Sequence, residues 1–133
     1  HLYFDPAEMP VSVDEVVNAV QMASAVLMQK STREGFGLTV TEGMWKGKPV
    51  IGGDAGGIRV QINDGVTGFL VSSPEQCAQR LVELLQDEAL SARIGEAAKG
   101  SVRKRFLLPR LALDYLNVAR ARVNGRIPAV SGD

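Results

Sequence analysis

The amino-acid sequence predicts an α/β fold with flanking helices on a parallel sheet, and three observations predict it. Short apolar runs at residues 25–28, 48–51 and 69–71 are bounded by turn residues and read as buried strands. Stretches with helical spacing of apolar residues separate them, and strands joined through helices lie parallel. Glycine-rich turns, Gly35-Phe36-Gly37 and the run from Gly52 to Gly57, fall where strand gives way to helix.

Residues 2–4 have strand character and are closed by Asp5-Pro6. Ser12-x-x-Glu15 is a capping-box pattern, and Val16, Val17, Val20 and Met22 supply the apolar face of the helix that follows. The run at 25–28 is the next strand. Leu38, Glu42 and Trp45 mark a helix over 38–46, with Gly47 as its C-cap, and residues 48–51 form the second strand. Asn63-Asp64-Gly65 and Thr67-Gly68 are turn residues ahead of the strand at 69–71. Pro74 opens a helix whose apolar positions are Cys77, Leu81, Leu84 and Leu85. A helix over 91–106 ends on Arg103, Lys104 and Arg105, cations that suit the negative end of its dipole. The last helix, over 109–123, carries a stripe of Leu113, Leu116 and Val118 and stops at Asn124-Gly125. The domain therefore spans residues 1–125, and residues 126–133 read as a flexible tail.

Composition narrows the function classes. Hydrophobic residues are 45% and charged residues 23% of the 133, an ordinary globular balance for one domain. Fifteen basic and fifteen acidic side chains cancel, so no global charge calls for nucleic acid or a membrane surface. No apolar run approaches the roughly 20 residues of a membrane span. Cys77 is alone and forms no internal disulfide, which fits a cytoplasmic location. His1 is the single histidine and a chain-end residue; no metal-ligand spacing and no Ser-His-Asp set is present.

The chemistry concentrates at residues 29–52. A glycine-bracketed turn lets backbone approach a ligand, and the helix N-terminus behind it offers free N–H groups to an anion such as phosphate. Glu34 precedes the turn and Glu42 lies in the helix, about two turns or less from its start. A carboxylate accepts hydrogen bonds from two neighbouring hydroxyls, so amides between two acids suit a sugar bearing a diphosphate. Gly35, Phe36, Gly37 and Leu38 would give backbone contacts, and Thr39 stands where it can bond a phosphate. Lys30 and Arg33 are the nearest cations for a departing anion. Each residue also has a purely structural reading. Glu34 can serve only the helix dipole, Glu42, Lys30 and Arg33 only the solvated surface, Thr39 only its own backbone, and the Phe36 side chain only the core. The second glycine cluster either turns its amides to a ligand or is a tight turn.

Glu34-Gly35-Phe36-Gly37-Leu38, closed by Glu42, resembles the donor-site signature of retaining GT-B glycosyltransferases of family four, the group 1 glycosyl transferases. The fuller run, with Gln29-Lys30-Ser31, Arg33 and Met44-Trp45-Lys46-Gly47-Lys48-Pro49-Val50-Ile51-Gly52, resembles their trehalose glycosyltransferring synthase and retaining trehalose phosphorylase branch. Asp64-Gly65-x-Thr67-Gly68-Phe69-Leu70-Val71 also resembles the family, whereas Ile58-Arg59-Val60-Gln61 replaces its usual Ile-Pro-Glu.

The resemblance implies a Rossmann-like, C-terminal, donor-binding domain, incomplete at its N-terminal side and lacking the N-terminal GT-B domain. It implies glucose transfer from UDP-, ADP- or GDP-glucose to a small sugar acceptor, with trehalose as the expected product. Glu34 would steady the transferred hexose and the charge at its anomeric carbon, Glu42 the ribose, and the turn the diphosphate. No metal or other cofactor is implied. A phosphorylase using inorganic phosphate is one alternative. A nucleotide-sugar-binding fragment without activity alone is a second, and a domain that only forms a homodimer is a third.

Overall fold

The computed structural model describes residues 11–31 and 33–123. In chain order its elements are α1 (Val13–Ala23), β1 (Leu27–Gln29), α2 (Leu38–Trp45), β2 (Val50–Gly53), α3 (Ile58–Gln61), β3 (Phe69–Val71), α4 (Pro74–Gln86), α5 (Glu88–Arg105) and α6 (Leu108–Val123). The three strands are parallel in the order β1-β2-β3, with Met28 opposite Ile51 and Ile51 opposite Phe69. The predicted α/β class holds, with helices flanking the sheet on both faces.

Alternation along β2 divides the core. Neighbouring side chains on a strand point to opposite faces, so Val50 joins Val40, Met44, Ile58, Ile62, Ala98 and Val102, while Ile51 joins Phe69, Leu84 and Ile94. The first cluster seats α2, α3 and the later turns of α5; the second seats α4 and the earlier turns of α5. At 18 residues, α5 is about 27 Å long and so reaches both clusters.

Packing, rather than propensity, holds α2. Its sequence, Leu-Thr-Val-Thr-Glu-Gly-Met-Trp, contains two threonines, a valine and a glycine and has only eight residues. Such a segment is not a stable helix by itself. Val40 and Met44 are fully buried beneath it, and each such side chain contributes about 1.5–3 kcal/mol of burial. Gly43 lets the helix lie on the sheet: a Cβ there would sit 2.5 Å from Leu27 Cδ1 and 3.1 Å from Val50 Cγ2.

Local signals set most boundaries as expected. Ser12 caps α1 through the reciprocal box: the Glu15 N–H donates to Ser12 Oγ (3.2 Å) and the Ser12 N–H to Glu15 Oε2 (2.9 Å). The bond from the Ser12 N–H, with a second from the Ser12 hydroxyl at 3.0 Å, holds the Glu15 carboxyl below its ordinary value. Ser73 caps α4, with Pro74 in its first turn. Gly47 follows the end of α2 with φ of 71°, a left-handed position that favours glycine.

Other boundaries move. The first strand covers Leu27–Gln29 rather than 25–28, and the second covers Val50–Gly53 rather than 48–51. Pairing carries on through Gly52 and Gly53, which face Leu70 and Val71. The fifth helix begins at Glu88 rather than 91, because Asp87 caps it by accepting from the Leu90 N–H at 2.8 Å. The largest correction concerns apolar faces. Val17, Val20 and Met22 of α1, Leu85 of α4, and Leu113, Leu116 and Val118 of α6 are exposed rather than in the core. Residues 2–4, His1, Asn124-Gly125 and the tail at 126–133 lie outside the described residues. No helix among the described residues is long and apolar enough to cross a membrane.

Two glycines of α5 test the packing. A Cβ at Gly95 would overlap the Gly47 carbonyl oxygen, whereas a Cβ at Gly100 meets nothing within 4 Å. Gly95→Ala should lower unfolding stability by about 1–3 kcal/mol, and Gly100→Ala should raise it by about 0.4–1 kcal/mol. Urea denaturation of the two variants measures both.

Candidate functional site

The motif occupies the carboxyl end of β1, where the chain turns through Glu34 to Gly37 and enters α2. Gly37 is the N-cap of α2, and without a side chain it makes no capping hydrogen bond. Nor is there an acid in the first turn of α2, whereas Ser12, Ser73 and Asp87 cap α1, α4 and α5, each with an acid in its first turn. The first N–H groups of a helix have no intrahelical acceptor, so α2 keeps its positive end available to an anion.

The second glycine cluster supports this bend. The Gly57 N–H donates to the Glu34 carbonyl at 2.8 Å. A Cβ on Gly56 would overlap the Glu34 carbonyl oxygen, and one on Gly57 the Gly35 carbonyl oxygen. Gly56 also has φ of 43°, so both space and conformation require glycine there. Of the two readings of this cluster, the tight turn applies to Gly57, whose N–H is already committed to the protein. Arg59 closes the turn by donating through Nε and Nη2 to the Asp54 carboxylate.

Gly35 is different. It has no positive φ, and a Cβ there would meet nothing within 4 Å. The fold itself places no demand for glycine at this position.

Phe36 is not a core residue. It is 45% exposed, and its ring packs edge-on against Phe106 at 5.8 Å between centroids. Phe106 in turn lies under the Arg105 guanidinium, whose Nη2 donates to the Val60 carbonyl at 2.5 Å. The aromatic of the bend is thereby tied to the end of α5.

The two acids occupy different settings. Glu34 is half-buried, and Gln29 Nε2 lies at 3.4 Å from its Oε2. Glu42 is exposed on α2, and its Oε2 accepts from Gln21 Nε2 at 2.9 Å. Gln21 Oε1 accepts from Lys46 Nζ at 2.6 Å, so one amide joins an acid and a cation of α2 to α1. Carboxylate oxygens have several acceptor positions, and this single bond leaves Glu42 able to take further hydroxyl donors. Leu38, Thr39, Lys30 and Arg33 are exposed, with Leu38 and Thr39 in the first turn of α2.

Gln61 is the residue that the sequence reading missed. It is fully buried, and Nε2 donates to the Gly37 carbonyl (3.2 Å) and to Thr41 Oγ1 (2.9 Å). Its Oε1 is buried without a hydrogen-bond partner among the described residues. The available signal was a glutamine between two apolar residues, Val60 and Ile62, at the departure from the usual family pattern.

Two hollows hold candidate residues on either side of the bend in sequence, Lys30 and Glu42. A cavity of about 680 Å³ opens at the carboxyl ends of all three strands, where open α/β sheets bind ligands, and its walls include Met28, Lys30, Ser31, Asp54 and Cys77. Cys77, expected in the core, is half-buried there with Sγ at 3.8 Å from Met28 Sδ. Glu42 lines a smaller hollow of about 340 Å³ together with Gln21 and Lys46. The structure thus places Lys30 in one hollow and Glu42 in the other, and Glu34 to Thr39 line neither of the two. No group of three or more His, Cys, Asp or Glu residues suited to a metal ion occurs among the described residues.

Comparison with known proteins bears on the family of the chain. The sequence profile described as Glycosyl transferases group 1 matches residues 8–101. A trehalose synthase of Pyrococcus horikoshii is 51% identical over 102 residues, which is 77% of this chain and 25% of that protein. A trehalose phosphorylase of Pleurotus pulmonarius is 40% identical over 91 residues, 67% of this chain and 12% of that protein. The crystal structure of Anabaena Alr3699/HepE in complex with UDP-glucose superposes with a TM-score of 0.71 at 25% identity, covering 79% of this chain and 30% of that one. The chain spans about a quarter of the length of the trehalose synthase.

The glycine bracket gives a direct test. Gly57→Ala drives a methyl group into the Gly35 carbonyl and strains the bond to Glu34. It should lower unfolding stability by about 1–3 kcal/mol in urea titration.

Proposed function

Because this chain belongs to the Glycosyl transferases group 1 family, we propose that it is the donor-binding part of a retaining glycosyltransferase moving glucose from a nucleotide-glucose to an acceptor sugar. The observation that carries the reading is the open end of α2. Gly37 caps it without a side chain, no acid stands in its first turn, and Gly35 in front of it keeps space that the fold does not use. A diphosphate supplies the negative charge that such an end lacks.

In this reading the Leu38 and Thr39 amides bind the diphosphate, with the Thr39 hydroxyl beside them and Lys30 and Arg33 balancing the leaving anion. Glu42, held by Gln21, takes the ribose hydroxyls, and Glu34 takes the hexose and opposes the positive charge at its anomeric carbon. Amide dipoles and cationic side chains do this work, and the reading calls for no cofactor. The acceptor is assigned to a second domain, within the length of the relatives that this chain does not span. Trehalose as product is supported by the trehalose synthase relative. A second reading, phosphorolysis of trehalose, is supported by the Pleurotus relative; it needs the anion-binding end of α2 and makes little use of Glu42.

UDP titrated calorimetrically into the 133-residue chain should bind, and Glu42→Ala should weaken that binding about tenfold, the loss of roughly one hydrogen bond to a charged group. Gly35→Ala should leave unfolding stability within about 0.5 kcal/mol and still reduce UDP affinity. Absence of binding by UDP, ADP and GDP alike at millimolar concentration would refute the proposal. With the acceptor-binding region present, consumption of UDP-glucose with glucose separates transfer from phosphorolysis, which consumes trehalose with phosphate. The 133-residue chain alone should show neither turnover.

A further inference from the structure

Gln61 is an unusual resident of the apolar cluster around Val40, Met44, Ile58 and Ile62. It is fully buried, yet among the described residues only the Nε2 half of its amide has partners. A buried carbonyl without a donor costs free energy that a methionine or leucine of similar volume would avoid.

Its other half points to a role. Nε2 donates to the carbonyl of Gly37, the N-cap residue of α2, and to the hydroxyl of Thr41 one turn later. The same Gly37 carbonyl accepts the first helical bond, from the Thr41 N–H at 3.2 Å. The Gly37 carbonyl and the Leu38 N–H belong to one planar trans peptide and point in opposite directions. A bond that fixes the carbonyl toward the helix interior therefore fixes the Leu38 N–H outward, at the open end of α2. The Gln61 amide thus adds a side-chain bond to the helical bond that already holds that peptide plane. A Cβ on Gly37 would crowd Val40 Cγ2 at 3.1 Å and Gln61 Oε1 at 3.2 Å, so the glycine and the glutamine fit each other.

We propose that Gln61 is a positioning residue for the donor diphosphate: its side-chain amide grips the peptide joining Gly37 to Leu38 and keeps the Leu38 N–H aimed at the anion. This rests on the donor-binding reading above. Gln61 need not touch the ligand; it acts through the α2 N-terminus.

The test compares Gln61→Met and Gln61→Leu with the unaltered 133-residue chain, using UDP binding by calorimetry and thermal unfolding together. Neither substitution orphans its former partners, since the Gly37 carbonyl keeps the Thr41 N–H and the Thr41 hydroxyl lies 3.5 Å from the same carbonyl. The expected result is a five- to tenfold loss of UDP affinity with an unfolding temperature equal to or above that of the unaltered chain. UDP affinity within twofold of the unaltered chain would overturn the assignment. Loss of cooperative unfolding in both variants would also overturn it, by making Gln61 a structural residue. Failure of the unaltered chain to bind UDP, ADP or GDP would sink the donor-binding reading itself, and this assignment with it. Binding by the unaltered chain with unchanged affinity in the variants removes only the role of Gln61.

Discussion

Backbone against backbone is the contact on which this structure depends. The turn from Gly53 to Gly57 lies so close to Glu34 and Gly35 that a methyl group at Gly56 or Gly57 would occupy the position of a carbonyl oxygen. Gly53 repeats the pattern one strand-end earlier, where a Cβ would come within 2.7 Å of the Ser31 carbonyl oxygen. Two loops that leave adjacent parallel strands are thus pressed together with no side chains between them. The result is a close-packed pair of loops at the carboxyl edge of the sheet, from one of which α2 begins.

Close packing matters because the proposed chemistry is electrostatic. Amide dipoles stabilise an anion best when they are already oriented, so that little reorganisation follows ligand arrival. Three contacts act together on the bend: the Gly57 N–H on the Glu34 carbonyl, the Phe36 ring on Phe106, and Gln61 on Gly37. They originate in α3 and its approach and in the end of α5, both beyond the motif in sequence. The second glycine cluster and the closing helices therefore serve the same bend, which explains why so short a helix as α2 can present a defined end.

The acids show a division of another kind. Glu34 is half-buried near Gln29, and Glu42 is exposed and held from α1 by Gln21. Since Gln21 also accepts from Lys46, the same amide fastens α1 to α2. Much of the rest of α1 carries apolar side chains into the open, including Val13, Val17 and Val20. Glu42 consequently has a tertiary role in this chain whatever else it binds.

Local rules in the sequence determined the class of fold, the three strands, the helix caps and the motif itself. Ser12, Pro74 and Gly47 act on their own neighbours within a few residues, and such signals survive without any knowledge of the fold. The family resemblance of Glu34 to Leu38 with Glu42 was equally legible, because it lies in one continuous stretch. Tertiary structure alone decided which apolar faces are covered: Ile58 and Val102 are buried, while Val20 and Leu116 meet solvent, although all have apolar side chains in helices. It alone decided that Gly57 spends its N–H on Glu34, that Gly35 is left with room around it, and that Gln61 reaches back to Gly37. Those facts depend on which residues meet across crossovers of 20 or more positions, as with Gln61 and Thr41. Pairing at that range is set by the register of parallel strands and the packing of helices on them, and no short window of residues contains it.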